Sequence, residues 1–125
     1  RYLRPEQFGE VVELPVAHGE GRFVAPEVPI PADQIVFYYS SRLGSKPSYP
    51  DNPNGSSNDI AGICDPSGIV LGIMPHPERG MFFVQRPDSG FLKEKYKREG
   101  KPIPEFSDGL QIFKNLVFAW IDQLE

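Results

Sequence analysis

Pro75-His76-Pro77-Glu78 sets one of the chain's two histidines between two prolines, with a carboxylate two residues on. A histidine that moves protons needs a third group to hold its ring, and Glu78 is near enough in sequence to be that group. His76 directly follows the apolar run Ile69 to Met74. A strand ending in rigid, proline-flanked residues would place the imidazole at a sheet edge, where sites in α/β domains collect. An isolated His-Pro-Glu also fits an ordinary turn with a surface hydrogen bond, so its neighbours have to decide between the two.

The second histidine opens His18-Gly19-Glu20-Gly21-Arg22, where two glycines allow close approach of the backbone to a ligand. A tight turn with a satisfied histidine is the plainer alternative. A metal site shared by His18 and His76 has no ligand spacing to support it, and none is assigned. Cys64, in Gly62-Ile63-Cys64, imitates the first half of a nucleophile elbow. An elbow needs a small residue two places on and then a helix, whereas Asp65-Pro66-Ser67-Gly68 leads towards another strand. Cys64 is therefore expected to be a half-buried hairpin cysteine. Asn52-Pro53-Asn54-Gly55-Ser56 fits substrate or partner contact and ordinary turn chemistry about equally. Arg79 and Arg86 receive no role, since single arginines near loops are most often solvated or paired at the surface.

Several elements must position these residues. Glu10 to Ala17 alternates in part and ends near Pro15, which predicts a strand at an edge. Ile35 to Ser40 is β-branched and aromatic enough for a buried strand. Ser45 to Asn58, rich in Pro, Asn, Ser and Gly, reads as an irregular loop. Asp59 to Asp65 and Ile69 to Met74, joined by Asp65-Pro66-Ser67-Gly68, predict a β-hairpin. After the short apolar stretch Met81 to Val84, Phe91 to Arg98 could make two helical turns ended by Gly100. Leu110, Phe113, Leu116, Val117, Trp120, Ile121 and Leu124 recur at spacings of three and four. That pattern predicts an amphipathic helix from Asp108 to Leu124, capped by Ser107, with its apolar face against the sheet.

Length and composition bound the rest. At 125 residues there is room for one domain or part of one. A formal charge of −4 without long runs of either sign argues against nucleic acid. A single cysteine and no membrane-length apolar stretch make a reducing, cytoplasmic setting the expectation. The start at Arg1-Tyr2-Leu3-Arg4 fits a piece of a longer protein. Strand, strand, hairpin and helix give an α/β class with a small mixed sheet and a C-terminal amphipathic helix.

Four stretches in register are more specific than any one motif: Ala17 to Phe23 (A-H-G-E-G-R-F), Asn52 to Ser56 (N-P-N-G-S), Asp59 to Gly68 (D-I-A-G-I-C-D-P-S-G) and Gly72 to Arg79 (G-I-M-P-H-P-E-R). Their order and spacing resemble the glutaminase component of phosphoribosylformylglycinamidine synthases, within the class I glutamine amidotransferases. The likeness continues through Phe82 to Pro87 and Lys93 to Gly100. The resemblance implies the C-terminal part of a flavodoxin-like domain with a Cys-His-Glu triad, to which His76 and Glu78 correspond. It also implies that the loop His18, Gly19, Glu20 and Gly21 lines the glutamine pocket or the route to the synthetase. L-glutamine, a synthetase subunit or domain and the N-terminal half of the same domain would be the partners. No cofactor is implied for this chain, ATP and magnesium belonging to the synthetase. The family's Gly-x-Cys-x-Gly elbow has no counterpart in these residues. An amidotransferase for another acceptor, and a non-catalytic binding module on the same fold, are the alternatives.

Overall fold

The computed structural model describes residues 11–19, 21–25 and 29–121, with backbone only for 119 and 120. The described residues fall into two compact units, one formed by Val16–Pro75 with Val11, the other by Val12–Pro15 with the stretch from His76 onward.

The first unit is built on three strands in the order β1 (Ile35–Tyr38), β2 (Ile60–Cys64) and β3 (Leu71–Ile73). Both pairings are antiparallel, so the small sheet expected from the sequence holds no parallel pair among the described residues. β2 lies in the middle, and Ile60 and Ala61 are buried there with Tyr39, the residue after β1. Gly62 faces Phe37 across the ladder, and a Cβ there would stand 3.2 Å from the Phe37 ring. β1 is less buried than its composition predicts, with Tyr38 56% exposed. Among the described residues β1 has one neighbour, and an edge strand leaves part of its surface uncovered.

The β2–β3 hairpin forms as predicted, with Gly62, Ile63 and Cys64 opposite Ile73, Gly72 and Leu71. Its turn depends on one side chain. The Asp65 carboxylate accepts from the backbone N–H groups of Ser67, Ile69 and Val70 and from the Ser67 hydroxyl, while Gly68 takes the positive φ of 71° that closes the loop. These bonds, the Ser67 hydroxyl foremost, hold the Asp65 carboxyl down at about 2 against an ordinary value of 3.8. A depressed folded-state value means that the stabilisation is complete above the ordinary carboxylate range and is lost as pH falls through about 2. Asp65→Ala should therefore lower the denaturation midpoint at neutral pH, and the gap to wild type should close between about pH 4 and about pH 2. A pH-independent gap in denaturant titrations would remove Asp65 as its cause.

In the second unit, α1 (Ser89–Arg98) ends as the sequence predicts. Gly100 adopts φ 65° and the Lys101 N–H reaches back to the Tyr96 carbonyl, closing the helix, with Lys95, Lys97 and Arg98 at its negative end. Phe83 is buried with its ring 6.0 Å from that of Tyr96. The last helix, α2 (Gly109–Ile121), begins one residue later than predicted, and residues 122–125 lie outside those described.

Two sequence expectations need correction. The strand from Glu10 to Ala17 does not form in residues 11–17, and Glu10 lies outside the described residues. Proline at 15 has no N–H to give a ladder, and the backbone groups nearby serve other partners: Glu13 N–H donates to the Asp108 carboxylate and the Pro15 carbonyl accepts from His76 N–H. The apolar face of α2 is also only partly the one expected. Of the predicted stripe, Leu110 and Phe113 are half-buried and Leu116, Val117 and Ile121 exposed, while the buried positions are Gly109, Ile112 and Asn115, an i, i+3, i+6 row. This row packs on the short 3₁₀ turn Pro77–Gly80, and close approach to that backbone selects the small residue at 109. The side chains at 120 and 124 lie outside the described residues.

Candidate active site

His76 has an extended backbone (φ −103°, ψ 90°), the conformation forced on a residue that precedes proline. Pro77 then starts the turn Pro77–Gly80 with its φ preset and no N–H to satisfy. The Arg79 N–H donates to the His76 carbonyl and folds the chain back on itself. Glu78 is thereby returned to the imidazole, with Oε1 2.6 Å from Nδ1. The hydrogen bond from His76, the largest influence, holds the Glu78 carboxyl below its ordinary range, so the carboxylate stays ionised throughout the neutral region. With Nδ1 committed to Glu78, Nε2 is left to exchange a proton with a reacting group. The His76 side chain keeps 34% of its exposure, enough for such a group to reach it.

Three attachments hold this turn. His76 N–H donates to the Pro15 carbonyl at 2.7 Å. The Pro15 ring lies against Gly80, where a Cβ would come within 2.9 Å of Cδ. Gln85, on the next 3₁₀ turn (Phe83–Gln85), accepts from the Phe82 N–H and donates to the Glu78 carbonyl at 3.3 Å. The sequence reading gave neither Pro15 nor Gln85 a part in the site. Gln85 could have been suspected, since a Gln three residues after the start of a short helical turn is the usual reciprocal cap. Arg86, left without a role by the sequence, forks onto Asp88 through Nε and Nη2 (2.9 and 3.1 Å) and reaches Glu13 at 2.9 Å. The hydrogen bonding to Asp88, then to Glu13, raises its already high pKa, so it is a fixed cationic brace.

The residues singled out around His18 lie in the first unit. His18 Nδ1 pairs with Asn54 Nδ2, which also donates to the Gly21 carbonyl at 2.6 Å. Nδ1 therefore accepts, and the neutral ring carries its proton on Nε2, an atom buried without a hydrogen-bond partner among the described residues. A Cβ at Gly21 would meet the His18 side chain at 2.9 Å, whereas Gly19 borders open space. Glu20 lies outside the described residues. Sequence alone could not pair the two stretches 33 to 36 residues apart. Nor could it divide the labour inside Asn52 to Ser56. Asn52 serves the turn, bonding to Ser56 and Asp59, while Asn54 reaches out to the histidine loop.

Cys64 is half-buried at the end of β2, with Sγ 3.9 Å from the Asp33 carbonyl, and is followed by the turn into β3. A nucleophile elbow has no place there. Cys64→Ser should therefore cost about 1 kcal/mol or less, as for a half-buried thiol. A much larger fall in the denaturation midpoint would mean that the thiol is more deeply committed than its half-burial indicates.

Known proteins match the chain along most of its length. Residues 5–121 match the family described as the CobB/CobQ-like glutamine amidotransferase domain. A protein of Methanococcus maripaludis strain C7, named phosphoribosylformylglycinamidine synthase subunit PurQ, is 46% identical over 115 residues, which is 86% of this chain and 42% of that protein. Proteins with the same name from Trichormus variabilis and Archaeoglobus fulgidus are each 41% identical, covering 87% and 86% of this chain and 38% of their own lengths. The chain thus spans about two fifths of the length of the curated relatives it matches. No solved structure matches it. A match over residues 5–121, carrying the paired His76 and Glu78, establishes that the chain belongs to the CobB/CobQ-like glutamine amidotransferase domain family.

Proposed function

We propose that this chain supplies the histidine and the carboxylate of a Cys-His-Glu glutaminase serving phosphoribosylformylglycinamidine synthase. The observation that carries the reading is the 2.6 Å contact between His76 Nδ1 and Glu78 Oε1, in a family defined by glutamine amide transfer. The relatives' name supports the acceptor, formylglycinamide ribonucleotide, which a synthetase partner would convert with ATP and magnesium. The thiol would stand on a segment outside these 125 residues, since no Gly-x-Cys-x-Gly occurs among them. That segment and the synthetase would be the chain's partners.

In this mechanism His76 Nε2 takes the proton of the cysteine thiol, and the thiolate attacks the glutamine side-chain amide carbon. Nε2–H returns that proton to the departing ammonia, and the thioester remaining on the cysteine is hydrolysed by a water whose proton passes to His76 and on to the released cysteine sulfur. Glu78 holds the ring through Nδ1 and stabilises the charge it carries. His18, Gly19, Glu20 and Gly21 remain the proposed lining of the glutamine pocket or of the ammonia route. His18 Nε2 is buried and without a hydrogen-bond partner among the described residues. The test is a complete glutaminase assembled with its synthetase and assayed with glutamine and with ammonia. A His76→Ala change should remove the first activity and spare the second.

A further inference from the structure

We propose that the first turn of α2 is the seat of the catalytic turn, and that Gly109 is a positioning residue for the His76–Glu78 pair. The inference rests on the glutaminase reading of that pair. Gly109 is buried against the Pro77–Gly80 backbone, whose residues Pro77 and Gly80 are themselves buried. A Cβ at 109 would run into the Pro77 carbonyl oxygen and lie 2.7 Å from the carbonyl carbon and oxygen of Gly80. All three are main-chain atoms, so no side chain can rotate away to relieve the clash. The turn would have to move, and Glu78 lies between the two residues that would be pushed. Helix propensity alone favours alanine over glycine at this position, so the hydrogen side chain answers to the neighbouring turn.

The start of α2 is anchored independently of this contact. The Asp108 carboxylate accepts from Glu13 N–H at 2.8 Å, and two residues further along the same segment Pro15 accepts from His76 N–H at 2.7 Å. Helix start, segment 12–15 and catalytic turn thus form a closed ring of contacts. The imidazole is positioned by residues 61 places before it and 33 after it, counting from Pro15 to His76 and from His76 to Gly109.

The test uses the complete glutaminase in its synthetase complex, with Gly90→Ala as the control, since a Cβ there meets nothing within 4 Å. Gly109→Ala should lower kcat for glutamine on the order of 10–10²-fold, as a displacement of about 1 Å does to reacting groups. KM for glutamine should stay within about two-fold, and ammonia-dependent synthesis should match the control. Asp108→Ala tests the same seat without adding volume: it should lower kcat by about 3–10-fold. Asp108→Asn, whose amide oxygen can still accept from Glu13 N–H, should restore it. If Gly109→Ala fails to fold, the Asp108 pair decides. A wild-type kcat in folded Gly109→Ala, or in Asp108→Ala, overturns the proposal, as does a fall in KM performance or ammonia-dependent synthesis equal to the fall in kcat. If His76→Ala retains glutamine turnover in the same complex, the glutaminase reading itself has failed; if His76→Ala is inactive and these variants are not, only the seat has.

Discussion

Replacing His76 with alanine in a complete, folded glutaminase should cut kcat for glutamine on the order of 10⁴-fold or more, the largest single effect expected from this chain. In the proposed mechanism one ring serves the thiol, the departing ammonia and the hydrolytic water. Glu78, its hydrogen-bond partner, is committed to Nδ1 through a 2.6 Å bond, and that bond keeps it ionised. Loss of a triad member typically leaves only what binding and oxyanion stabilisation contribute. The fold should tolerate the change, because the turn is held by backbone and proline contacts, namely His76 N–H to the Pro15 carbonyl and Gly80 against the Pro15 ring, neither of which uses the imidazole. Ammonia-dependent synthesis should persist, since free ammonia bypasses the step. A folded His76→Ala enzyme that hydrolyses glutamine at the wild-type rate would remove His76 from the mechanism.

The parts of this fold that the sequence made legible are those governed by neighbours along the chain. The β2–β3 hairpin follows from Asp65 and Gly68, whose side-chain bonds and positive φ act within five residues. The end of α1 follows from Gly100, and the His76–Glu78 contact from prolines that leave the backbone few choices. What could not be read depends on partners distant in sequence. Glu10 to Ala17 has the alternation of a strand, yet residues 13 and 15 give their hydrogen bonds to Asp108 and His76. Periodicity reports that a segment has an apolar side, and only tertiary contacts say where its backbone groups are spent.

The helix α2 shows the same limit from another direction. Spacing located the helix but missed its most buried row, because the hydrophobic pattern marks Leu110, Phe113, Leu116, Val117 and Ile121, half-buried or exposed, while the close backbone contact at the Pro77–Gly80 turn selects Gly109, Ile112 and Asn115. A glycine carries no hydrophobic signal, so the residue that decides the packing is invisible to a periodicity argument. The family resemblance pointed to His76 and Glu78 as the candidate pair; it said nothing of Gly109, Gln85 or the segment 12–15. Those residues touch the backbone of the turn that carries the pair.

Glu78→Gln should lower kcat on the order of 10–10³-fold, clearly less than His76→Ala. Glutamine's amide oxygen can still accept from His76 Nδ1–H, so the ring's orientation survives while the countercharge is lost. In a serine triad the corresponding change costs about 10⁴-fold, because the amide leaves the histidine in the wrong tautomer to take the hydroxyl's proton. A thiol is partly ionised near neutral pH and intrinsically more nucleophilic, so it leans less on the carboxylate. The surroundings of Glu78 point the same way: its side chain is 53% exposed, and solvent screens a charge there more than in a buried triad. Because the hydrogen bond from His76 depresses its carboxyl, Glu78 is ionised at every pH above the ordinary carboxylate range, and its contribution falls away only as pH drops through the lowered value. Titration of Glu78 itself should accordingly add no pH dependence to the ratio of wild-type to Glu78→Gln kcat between about pH 6 and about pH 8. Steady-state glutamine hydrolysis across that range decides it: a ratio near one, or a loss as deep as that of His76→Ala, would mean that the 2.6 Å contact does not serve the ring in the way its geometry indicates.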